Sequence, residues 1–255
     1  MMMMNKLLLT LTLLVLTSSF CMAQEIASSA SDIDVIKLIR DVETQYQGKT
    51  SHGKMQMNIK TKSWARTLSI EFWGEGRDKM LTRILSPAKE RGTCTLKVDD
   101  DIWNYISRID RLIKIPSSLM GDSWMGSHFT NDDLVKENKI DQLYHLKVSS
   151  KKDKQIEITG TPLPDAAVVW GKIVYRIDSE KMVPVDISYF DEEGALVRTM
   201  TFSDIQQVNQ RNLPMKAKIL PIEKPDEYTE IVYEKIDFDI DLEANLFSIK
   251  SLRNR

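Results

Sequence analysis

From Met55 onward the chain is a succession of short segments in which apolar and polar residues alternate, and this pattern constrains the fold more than any other feature. In MQMNIK the side chains of Met55, Met57 and Ile59 share one face, and in TLSIEF those of Leu68, Ile70 and Phe72 do, with the two-residue period of a half-buried sheet. Similar runs follow as KMLTRIL, CTLKV, DIWNYI, RLIKI, YHLKVSS, QIEITG, KIVYRID, PVDISYF, LVRTMTFSDI, MKAKILP and EYTEIVYEKIDFDI. Turn signals such as Glu193-Gly194 and Asn212-Leu213-Pro214 separate them. Strands in series with short links predict a single antiparallel meander, and a sheet of that size must curl. The expected fold is mainly β (α+β): a strongly curved antiparallel sheet forming an incomplete barrel, closed by an N-terminal helix and a short helical lid.

The helix is predicted from Ser31 to Gln47, where Ile33, Ile36, Ile39, Val42 and Tyr46 recur on one face and Gly48 stands at the end. Before it, Lys6, the run Leu7–Leu16 and the small residue Ala23 have the order of an export signal, so residues 1–23 are read as a cleaved signal peptide and 24–255 as one domain. The apolar run is shorter than the roughly 20 residues of a membrane span. Cys21 offers a competing reading, a lipid-anchored chain, disfavoured by Phe20 where lipoprotein signals take a small residue. Cleavage after Ala23 leaves Cys94 alone, so no intramolecular disulfide forms and stability must come from burial. The expected location is the periplasm.

With 42% hydrophobic and 28% charged residues the chain can bury a real core. Acidic and basic residues are interspersed, as in Lys151-Lys152-Asp153-Lys154, which supplies no electrostatic footprint for nucleic acid. The three histidines, His52, His128 and His145, have no metal-ligand spacing, and no phosphate loop, nucleophile elbow or zincin helix is present. No catalytic residue, metal or cofactor is therefore expected. Asp132-Asp133 reads as a helix start capped by Thr130, and Asp99-Asp100-Asp101 as a solvated hairpin tip. A hydrolase would have to draw on residues such as Asp132 or His128, and no motif favours it.

One segment does not fit a plain meander. Trp103 and Tyr105 lie on one face of their strand with Ile102, Asn104 and Ile106 on the other, and Ile113 and Ile115 alternate with Leu112 and Lys114. Both faces of this hairpin are thus apolar, although an antiparallel sheet ordinarily has one wet face. Leu119-Met120, Trp124-Met125 and Phe129 follow on a stretch hinged by Gly121 and Gly126, the composition of a movable flap. These side chains either plug the open end of the sheet as core or line a pocket for a long apolar ligand. The candidate site is Trp103, Tyr105, Ile113, Ile115, Trp124, Met125 and Phe129, together with Met55 and Met57 on their strand face.

The strand WNYISRIDRLIKIP followed by MGSHFTNDDL resembles the signature of the outer-membrane lipoprotein-sorting protein group of the LolA-like superfamily. The resemblance also takes in RILSPAKERGTCTL, VPVDISYFDEEGALVRTMTFSDI and the ending ANLFSIKSLRNR. Trp103, Tyr105, Arg111, Ile115, Pro116, Met125, Gly126, Ser127, Phe129, Thr130, Asp132, Asp133 and Leu134 match the pattern, while His128 replaces a common Asp and Ser107 a common Pro. The resemblance implies an incomplete barrel around a hydrophobic cavity in a protein that carries lipid, or the acyl chains of a lipoprotein, between membranes. Its partners would be an inner-membrane transporter and an outer-membrane acceptor. The alternative is an envelope lipid-sensing adaptor that reports to a membrane partner. The cargo and the oligomeric state are left open.

Overall fold

The structure, a computed structural model, describes residues 33–136 and 139–253. The signal peptide 1–23, Cys21 and the expected cap Ser31 lie outside the described residues. Helix α1 (Val35–Gln47) starts at Asp34, whose carboxylate accepts a hydrogen bond from the Lys37 amide at 2.9 Å. A short carboxylate in this position takes up an amide that the first turn leaves unpaired, so the helix begins later than the Ser31 reading expects. Leu38, Ile39 and Val42 are buried, while Ile36, placed by periodicity on the same stripe, is 42% exposed.

Thirteen strands form one antiparallel sheet. The first arm comprises β1 (Thr50–Lys60), β2 (Ala65–Glu75), β3 (Lys79–Ser86), β4 (Cys94–Val98), β5 (Asp101–Ile106) and β6 (Arg111–Lys114). The second comprises β7 (Tyr144–Lys152), β8 (Gln155–Pro162), β9 (Lys172–Asp178), β10 (Val183–Phe190), β11 (Leu196–Val208), β12 (Arg211–Pro221) and β13 (Tyr228–Phe238). Each arm is a meander, and the two meet where β1 pairs with β13, Met57 opposite Ile231 and Ile59 opposite Thr229. β6 and β7 are the free edges, so the sheet is not closed into a barrel. Every run picked out by alternation became a strand.

The residues of one turn signal did not form a turn. Asn212, Leu213 and Pro214 belong to β12, and the reversal falls on Asn209 and Gln210, both with positive φ (48° and 66°). Two consecutive residues in that region make the tight turn that matches strand twist. Pro214 is tolerated because β12 pairs with β13 only from Lys216 to Ile219, so its missing N–H breaks no ladder there.

The inner face holds the main core, in which Met57, Ile59, Leu68 and Ile70 of β1 and β2 meet Ile39 and Val42 of α1. Each fully buried aliphatic side chain of this kind contributes about 1.5–3 kcal/mol. The outer face of β3–β5 carries a second cluster, Leu81, Cys94 and Leu96, covered by Leu252 of the 3-10 helix Ile249–Arg253. Trp73, Trp103, Tyr105 and Phe247 pack around it, and Arg83 fastens the cover by donating to the Ser251 carbonyl at 3.1 Å. The chain's own C-terminal segment therefore explains the apolar outer face of β5.

Gly53 marks the tightest point of the central strand. A Cβ there would stand 2.3 Å from the Lys235 carbonyl oxygen and 2.6 Å from the Phe72 ring. Gly53→Ala is expected to lower stability by about 1–3 kcal/mol in thermal denaturation, as overpacking does. Gly121→Ala, where nothing lies within 4 Å, should leave Tm unchanged.

Candidate functional site

The sheet order dictates where the site lies. β6 and β7 are consecutive in the chain yet occupy opposite edges of the sheet, so residues 115–143 must cross from one edge to the other. They do so over the inner face, through the 3-10 turns Ser117–Leu119 and Trp124–Gly126 and the helices α2 (Asn131–Lys136) and α3 (Ile140–Leu143). The crossover is knit together internally. Trp124 N donates to the Phe129 carbonyl at 2.8 Å, Asn131 Nδ2 to that of Leu119 at 2.9 Å, and Asp132 N to that of Met120 at 2.8 Å. Met125 and Gly126 both take positive φ, 51° and 67°, to tighten the turn that drives Trp124 inward.

Polar anchors hold this lid to the sheet. Trp124 is 2% exposed, and its Nε1 donates to Thr95 Oγ1 at 3.0 Å; that hydroxyl donates in turn to Asn104 Oδ1 at 2.7 Å. The His128 amide donates to Thr229 Oγ1 at 2.9 Å, whose hydroxyl faces His128 Nδ1 at 2.8 Å, leaving Nε2 toward Glu227 at 3.3 Å. The Lys62 amide and the His128 ring hold the Glu227 carboxyl below the usual carboxylate range.

A further anchor is a buried ion pair. Asp133 caps α2 reciprocally: its Oδ2 accepts from the Thr130 amide at 2.7 Å, and its own amide donates to Thr130 Oγ1 at 3.1 Å. Both carboxylate oxygens also receive Arg198 of β11, at 2.9 and 2.6 Å, and Arg198 donates further to the His128 carbonyl at 2.9 Å. The guanidinium lies 4.5 Å from the Trp170 ring centroid and 4.3 Å from that of Tyr189. Asp132, the other acidic residue of the helix start, pairs with Lys136, and burial raises its carboxyl pKa. Thr130 and Asp133 do the capping that their sequence suggests.

Between the lid and the sheet lies a cavity of about 250 Å³. Met55, Phe72, Tyr233, Met200 and Phe202 form apolar walls, and Trp124, Phe129 and Leu134 form the roof. One end is different, because Thr82, Lys97, Arg77 and Lys79 line it. Arg77 is engaged by Asp141 and Glu43, the contact that ties α3 and α1 to the β2–β3 turn. Lys97 is 3% exposed and donates to the Arg77 carbonyl at 2.7 Å. Burial, with Lys139 adding repulsion, lowers its pKa to about 8.

Of the residues singled out from sequence, Met55, Trp124 and Phe129 come together at this cavity. Met57 lies fully buried in the core, and Met125 packs half-buried against it while its carbonyl accepts from Arg66. Trp103 and Tyr105 are on the outer face with the C-terminal cover. Ile113 and Ile115 are half-buried at the β6 edge, where the Ile115 amide donates to the Ile102 carbonyl at 2.8 Å, and neither lines the cavity. Phe202, Tyr233 and Lys97 were not anticipated. The signal for Lys97 was present in CTLKV, where it shares a strand face with Thr95 rather than with the apolar Leu96.

A family model described as an uncharacterized protein matches residues 76–254. No curated protein matches the sequence significantly. Among solved structures, a DUF1329 family protein from Desulfovibrio piger superposes with a TM-score of 0.78 at 18% identity, covering 85% of this chain and 97% of the other. An outer membrane lipoprotein-sorting protein domain from Vibrio parahaemolyticus gives 0.74 at 22% identity, over 86% and 97% of the two chains. A LolA superfamily protein from Nitrosomonas europaea gives 0.69 at 15% identity, over 84% and 96%. At these identities the likeness is one of fold.

The ion pair gives a test of the lid. Arg198→Met leaves the Asp133 carboxylate buried without its partner, which is expected to cost about 3–5 kcal/mol. Hydrogen exchange should then quicken in residues 119–136, and removing the stranded charge as well, in Arg198→Met/Asp133→Asn, should recover part of the loss.

Proposed function

The chain belongs to the family whose model, described as an uncharacterized protein, spans residues 76–254, and from its likeness in fold to an outer membrane lipoprotein-sorting protein domain and a LolA superfamily protein we propose that it is a periplasmic carrier. Its inner cavity takes up a lipoprotein acyl chain or another lipid and moves it between membranes. The observation that carries this reading is the edge-to-edge crossover, which roofs an apolar cavity with Trp124 and Phe129 and is latched by Arg198 and Asp133. Each methylene withdrawn from a bilayer costs about 0.8 kcal/mol unless other apolar surface receives it. Met55, Phe72, Phe202 and the lid aromatics supply such a surface, and the task needs no catalytic group.

The cavity is smaller than the roughly 300–1,000 Å³ of ligand pockets for molecules of moderate size. Cargo with more than one chain must therefore displace the lid. Loading and release then follow from differential affinity for the two lid positions, supplied by an inner-membrane transporter at one end of the route and an outer-membrane acceptor at the other. No helix among the described residues is long and apolar enough to cross a membrane.

Ala217 lines the cavity on β12, opposite Ile231 and Phe202 on its two neighbouring strands. Ala217→Phe should fill the space and weaken binding of a fluorescent fatty-acyl probe by about tenfold, equivalent to about 1.4 kcal/mol, with the far-ultraviolet dichroism unchanged. Undiminished binding in the filled variant would place the acyl site elsewhere. Vesicle-to-vesicle transfer of the probe separates a carrier from a sensor that retains its ligand.

A further inference from the structure

The polar end of the cavity is unusual for a compartment that only holds hydrocarbon. Lys97 sits on β4 and Thr82 on β3, diagonal neighbours on the inner face, since Thr82 pairs with Thr95 and Lys97 with Met80. Both are nine-tenths or more buried and both line the cavity. An ammonium has three donors. One reaches the Arg77 carbonyl at 2.7 Å, and Lys97 makes no ion pair among the described residues. The Thr82 hydroxyl has no hydrogen-bond partner among the described residues. Buried polar groups are costly unless partnered, so two adjacent side chains with spare donors, facing one cavity, point to an acceptor.

The charge balance fixes its sign. Of the charged side chains that line the cavity, Arg77 is paired with Glu43 and Asp141, Lys79 with Glu75 and Asp133 with Arg198, which leaves the Lys97 ammonium as the lining charge without an ion pair among the described residues. We propose that this end is a headgroup site: Lys97 Nζ and Thr82 Oγ1 bind the anionic oxygens of a single-chain amphiphile, a carboxylate or a phosphate, whose hydrocarbon lies between Phe72 and Trp124. The cavity volume of about 250 Å³ suits one chain rather than two or three. The lowered pKa of Lys97 agrees with an ammonium short of compensating charge, and a bound anion would raise it. The proposal rests on the carrier reading and narrows it to ligands with an acidic head.

The test is a series of ligands sharing one chain and measured by calorimetry on the wild-type protein: dodecanoate, dodecyl phosphate, dodecanol and dodecyltrimethylammonium. At least one anion should bind about tenfold or more tightly than the alcohol, as hydrogen bonds to a charged group allow, and the cation should bind most weakly. The tighter of the two anions identifies the headgroup as carboxylate or phosphate. Lys97→Met should bring the preferred anion down to the level of the alcohol, and Lys97→Arg should retain part of the difference. Equal binding of alcohol and both anions by the wild-type protein would overturn the headgroup site and leave the carrier reading intact. Failure of every ligand to bind would overturn both.

Discussion

The two strands at the free edges of this sheet are successive in the chain. Everything that makes the inner face more than a core depends on that constraint. A meander that simply ran from one edge to the other would need no crossover. Here the chain starts in the middle of the sheet at β1, travels outward to β6, and must then reach β7 at the far side before meandering back to β13. The connection has to pass over the concavity, so the lid is a consequence of topology, and its aromatic residues are carried to the cavity by the path itself.

Buried charge is the second organising feature, and it is used in two ways. Around Asp133 the charges are fully answered: Arg198 supplies both donors, Thr130 closes the cap, and the Trp170 and Tyr189 rings flank the cation. Such a pair adds little net stability compared with apolar packing, but it tolerates one arrangement only, which fixes the lid in register with β11. Around Lys97 the answer is incomplete, a single carbonyl for an ammonium. The same low dielectric that makes the first arrangement rigid makes the second receptive.

Strand content was legible in the sequence because alternation is a local property, and each of the runs from MQMNIK to EYTEIVYEKIDFDI is a strand. The lid was legible for a related reason: Trp124, Met125 and Phe129 in a Gly-punctuated stretch break the alternation and demand cover. What could not be read was partnership across the chain. Trp103 and Tyr105 looked like cavity residues because their strand is apolar on both faces, and only the fold shows that Leu252 and Phe247 cover one of them. Pro214 looked like a turn because its tolerance in β12 depends on where β13 stops pairing. Lys97 was passed over because a lysine in a short strand ordinarily points to water, whereas here its ammonium is buried and donates to the carbonyl of Arg77, on a turn twenty residues earlier.

The seam between β1 and β13 also governs how such a chain reaches its native state. Each arm is assembled from neighbouring hairpins, whose contacts are close in sequence and quick to form, whereas the seam joins residues nearly the whole domain apart, Ser51 with Phe238 and Lys60 with Tyr228. Bringing those ends together carries the largest loop-closure entropy in the molecule and has to follow synthesis of the last strand. Until then β1 presents an unpaired backbone edge beside Met55, Met57 and Ile59, the kind of template on which other chains add. Until β13 arrives, the chain that finally buries Met57 and Ile59 completely leaves them open to its neighbours.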